Sequence, residues 1–123
     1  MISFIIWILF SLASGPIEAL YFVKRTSTFN PHVLFTIIRI IVLGLIYLFS
    51  GSWIVLVYPL VFTFLHDGMY YVTRDRLDHT YPKGWWSQST TSTSILDRLQ
   101  LTTPIIRTIL FVIGLVLIMY KLK

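Results

Sequence analysis

The sequence predicts an all-α, polytopic membrane protein with four transmembrane helices, and three observations carry that reading. Hydrophobic residues make up 56% of the 123 and charged residues only 12%, about half the charged share of a soluble domain. The apolar residues fall into four runs, each near the roughly 20 helical residues that cross a hydrocarbon core. The one extended polar stretch, residues 73–101, is too short to build a core of its own. A single membrane domain over residues 1–123, with one loop or interfacial segment, accounts for the whole chain.

Span one is expected over residues 2–23. Its first 13 residues have the length of a signal-peptide apolar region but lack a basic stretch before it, so the segment reads as a retained span. Ser14-Gly15-Pro16 predicts a kink, tolerable where neighbouring helices satisfy the backbone. A short polar turn leads to span two, residues 32–49. The uncharged Ser50-Gly51-Ser52 link predicts an antiparallel hairpin into span three, residues 53–71, which continues as helix to Asp78. Ser94-x-x-Asp97 has the form of a capping box, predicting a helix from Ile95. Span four follows over residues 102–120, with Pro104 in its first turns, where proline does least harm.

Charge distribution sets an orientation and narrows the partners. Net charge is +5, but the lysines and arginines lie scattered at segment ends. Such scatter suits anionic lipid headgroups and argues against nucleic acid, which favours a clustered patch. The loop after span one holds Lys24 and Arg25. The loop after span three holds Arg74, Arg76, Lys83 and Arg98, and the hairpin link holds none. The positive-inside rule then places both larger loops in the cytoplasm and both termini on the other side. Tyr81, Trp85 and Trp86 are expected to anchor the second loop at headgroup level. With no cysteine, disulfides and thiol chemistry are excluded.

Each apolar run nevertheless carries charge inside its end: Glu18, Arg39, the pair His66-Asp67, and Arg107. A charge within a span costs about 2.5–3.5 kcal/mol even on a lenient scale, so it faces a partner or a cavity. Counted from the predicted loop ends at 1.5 Å per residue, all four sites lie roughly 7–11 Å inside one interface. The expectation is one polar layer. Ser11, Ser14 and Glu18 share a face of span one, Thr63, His66 or Asp67, Tyr70 and Arg74 a face of span three, and Thr103 and Arg107 a face of span four.

The candidate binding cluster is therefore Glu18, Arg39, His66, Asp67, Tyr70, Arg74 and Arg107. Within the spans the carboxylates of Glu18 and Asp67 balance the guanidiniums of Arg39 and Arg107, which suits an ion-pair network that sets helix register. The first functional expectation is a structural or assembly protein that oligomerises or docks a partner through residues 73–101, in a cell membrane or the membrane of a virion. A small ion or proton channel is the second, since histidine is the side chain whose ordinary titration range lies near neutrality and His66 stands in the layer. The third is an enzyme acting on phospholipid headgroups, with arginines on the phosphate and His66 or Asp67 as base. No cofactor is expected. Nor is a metal, because two arginines beside Glu18, His66 and Asp67 oppose a cation and no second histidine is expected nearby.

Overall fold

The computed structural model describes residues 1–24, 31–79, 84–88 and 95–122. Its order is α1 (Ile2–Lys24), α2 (Pro31–Ser50), a 3-10 turn (Trp53–Val57), α3 (Tyr58–Leu77), the single turn α4 (Ile95–Arg98), and α5 (Pro104–Leu122). No strand occurs among the described residues. Among the described residues four helices are long and apolar enough to cross a membrane: α1, α2, the 3-10 turn with α3, and α5.

α1 and α3 form the centre, and they run parallel. Phe4 meets Tyr58 at 5.3 Å between ring centroids, Trp7 meets Phe62 at 5.5 Å, and Phe22 meets Tyr70 at 6.1 Å, so the register advances together along both chains. α5 lies antiparallel on α3, with Phe64 stacked on Phe111 at 4.5 Å. α2 lies antiparallel on α1, with Tyr21 edge-on to Phe35 at 5.9 Å, and its far end packs on the 3-10 turn. The spans thus neighbour one another in the order α2, α1, α3, α5.

Two glycines permit this closeness. A Cβ at Gly15 would press into the His66 carbonyl and stand 2.9 Å from the Tyr70 amide; one at Gly114 would stand 2.8 Å from Val61. With little hydrophobic drive between helices in lipid, such backbone approach sustains association. The apolar core extends from the charged layer, which it meets at Phe62, toward the start of α1. Trp7, Tyr58, Val61, Phe62 and Ile118 are buried there, and the Trp7 indole donates to the Tyr58 carbonyl at 2.8 Å.

α1 runs as one helix through Pro16, with Gly15 held against α3. The third helix continues beyond residue 71 to Leu77, with Asp78 as its C-cap. Span four starts later than expected, at Pro104, because Gln100 adopts a left-handed φ of 55° and ends α4 after one turn. Thr103 then caps α5, its hydroxyl accepting from the Ile106 amide at 3.4 Å, and Pro104 takes the first helical position. Ser94 of the expected capping box lies outside the described residues.

Candidate functional site

One charged group from each span joins a chain that crosses the helices in their packing order. Arg39 of α2 pairs with Glu18 of α1. Glu18 Oε2 lies 2.9 Å from His66 Nε2 of α3, and His66 Nδ1 lies 2.8 Å from Asp67 Oδ1. Asp67 Oδ2 in turn stands 3.8 Å from Arg107 Nη1 of α5. Glu18, His66 and Arg107 are buried, while Arg39 and Asp67 keep about a quarter and a fifth of their side-chain surface. The chain is transverse, running from helix to helix.

His66 is its centre. Carboxylates only accept hydrogen bonds, so Nδ1 carries a proton and donates it to Asp67. Nε2 faces two groups, Glu18 at 2.9 Å and Arg39 Nη2 at 3.0 Å. A neutral ring accepts there from Arg39; an imidazolium donates to Glu18. Both states fit the same heavy-atom positions. The ring is held by Phe62, stacked at 4.8 Å, and by Tyr70 at 6.3 Å, one turn away on either side.

The wider polar stripe is only partly realised. Tyr70 touches the cluster through the His66 ring. Arg74 is buried but pairs with Asp78 at 3.7 Å, outside the chain of charges. Ser11 and Ser14 are buried, yet their hydroxyls donate to their own helix at the carbonyls of Trp7 and Ser11. Thr63 Oγ1 is buried without a hydrogen-bond partner among the described residues, and Thr103 is occupied as a cap. On the core side Trp7, Phe10, Tyr58 and Phe62 close the space.

Two participants were not expected. His32 Nδ1 stands 3.4 Å from Glu18 Oε1, so a second histidine does join the cluster. The available signal was its spacing: seven residues before Arg39, it shares a helix face with it. Even so, among the described residues no three His, Cys, Asp or Glu side chains are grouped to hold a metal. The second is the backbone of the loop. Arg107 Nη2 donates to the carbonyls of Trp85 at 3.2 Å and Ser87 at 2.9 Å, and its Cζ lies 5.7 Å from the Tyr71 ring centre.

Trp85 departs from the expected surface anchor. Its indole lies in the space a Gly68 side chain would fill and contacts Phe64 at 5.7 Å between centroids. Residues 84–88 thus tuck against α3 at the level of the charged layer. Arg107 supplies polar partners to this irregular backbone at the Trp85 and Ser87 carbonyls. Trp86 is the exposed one of the pair, its ring edge-on to Phe64 at 5.8 Å. Tyr81 lies outside the described residues. Comparisons with protein-family profiles, with curated proteins and with solved structures find no match to this chain.

Proposed function

We propose that this chain is a small, non-enzymatic integral membrane protein with a structural or assembly role. In this reading Glu18, Arg39, His66, Asp67 and Arg107 set helix register, and the loop side meets a partner or a second copy. The observation carrying it is the transverse charge chain: each span contributes to it, and each carboxylate finds its bases within the same molecule. A tie of this kind fixes which helices meet and at what height. On the loop side Trp86, Leu96, Leu99 and Leu101 are exposed apolar side chains. The lysines and arginines of the loops put that side in the cytoplasm, or inside a virion membrane.

The other readings have less support. A conduit needs polar groups in succession along the membrane normal, whereas here they run across it and meet an aromatic layer. A headgroup enzyme needs an accessible free base, whereas His66 is buried with both ring nitrogens engaged and Asp67 is held between His66 and Arg107. The test is cross-linking in native membranes from a photoreactive residue at position 86 or 99. A discrete adduct with a second copy or one partner is expected. A protein that stays monomeric and unadducted refutes the assembly role.

A further inference from the structure

Between α1 and α2 lies a cavity of about 180 Å³. Phe10, Ala13 and Ile17 of α1 wall one side, Phe35 and Ile38 of α2 the other, and Arg39 joins the lining. Ser14 also borders it, but its hydroxyl is turned to the Ser11 carbonyl, so the wall it offers is apolar. Ala13, Ile17 and Ile38 are exposed on the outer surface of the helix pair. The cavity therefore opens sideways, toward the hydrocarbon that surrounds a membrane-inserted protein.

Arg39 lines this cleft with the apolar stem of its side chain, and its guanidinium is engaged beside it. Its Nη2 serves Glu18 and His66, while Cζ rests 4.8 Å from the Phe62 ring centre. Nη1 makes no hydrogen bond among the described residues, and about a quarter of the side chain remains exposed. The N–H edge of a guanidinium suits an anionic oxygen, and its fork pairs with two oxygens of a phosphate. Arginine stems also lie along apolar surface while the head reaches toward headgroup level. Lys24 and His32, at the facing ends of α1 and α2, stand on the same loop side as Arg39. A chain in the cleft and a phosphate at the guanidinium run in the direction a lipid of that leaflet already takes.

We propose that the α1–α2 cleft holds one acyl chain of an anionic phospholipid, with its phosphate bonded to Arg39. The proposal rests on membrane insertion but not on assembly, so a monomeric protein leaves it standing.

The test is native mass spectrometry of the full chain released from bilayers of phosphatidylglycerol doped with diacylglycerol, which has the same chains and no phosphate, with palmitic acid in a separate arm. One phosphatidylglycerol should stay bound per chain, with diacylglycerol retained about tenfold less, the weight of one charge-assisted contact. Ala13→Trp fills the cleft from an outward position and should abolish retention while helicity by circular dichroism is unchanged. Arg39→Gln should erase the preference between the two lipids. Equal retention of both lipids, stronger retention of palmitate, or undiminished phosphatidylglycerol on folded Ala13→Trp would each overturn the proposal. If Arg39→Gln does not fold, the lipid comparison and Ala13→Trp still decide.

Discussion

Glu18 and His66, 48 residues apart in the chain, meet at 2.9 Å between carboxylate and imidazole. The contact joins the two helices with the closest backbones, and Gly15 lies against the His66 carbonyl beside it. Packing and charge therefore fix the same register. A slip of α1 by one turn would lose both.

The charge chain should reveal itself as coupling. Glu18→Leu leaves Arg39, His66 and His32 without their shared carboxylate and should cost about 3–5 kcal/mol, the loss from breaking a buried pair. The double change Glu18→Leu with Arg39→Leu should be less damaging than the sum of its parts. Reversible denaturation in micelles measures this. Strict additivity would show that the pair has no energetic coupling.

Gly15 and Gly44 provide a matched comparison. Gly15→Ala forces backbone apart and should destabilise by more than about 1 kcal/mol. Nothing lies within 4 Å of a Gly44 Cβ, so Gly44→Ala should stabilise by up to about 1 kcal/mol through helix propensity alone. The same unfolding measurement reads both.

Seating of Trp85 depends on Gly68. Gly68→Val should expel the indole and make Trp85 accessible to an aqueous quencher in a protein whose other tryptophans are replaced by phenylalanine. Arg107→Leu should produce a similar gain in quenching, because the Trp85 and Ser87 carbonyls lose their donor. Unchanged quenching in both variants would mean the loop is held by other contacts.

At the entry to α5, Thr103→Ala removes the cap and should cost about 1 kcal/mol. Thr102 is bonded to Asp97 across the turn that ends α4, so Thr102→Val should cost a comparable amount, about 0.5–1.5 kcal/mol. Hydrogen exchange of amides at the start of α5 should rise in both.

Much of this molecule follows from properties that each residue carries alone. Hydropathy marks four helices, and the cost of a charge in hydrocarbon singles out Glu18, Arg39, His66, Asp67 and Arg107 as groups that need partners. Equal distance from the helix ends then puts them at one height. None of this requires knowing which helix touches which.

Partner choice is a pairwise property, and the tertiary structure decides it. Three glycines act here: Gly15 brings α1 onto α3, Gly114 brings α5 onto α3, and Gly68 admits Trp85. Only then is Glu18 set between Arg39 and His66, with His32 added and Arg74 left with Asp78. A glycine reads the same in sequence whether it breaks a helix, lies bare like Gly44, or receives a neighbour. What distinguishes them is the surface opposite, which is assembled from residues far away in the chain.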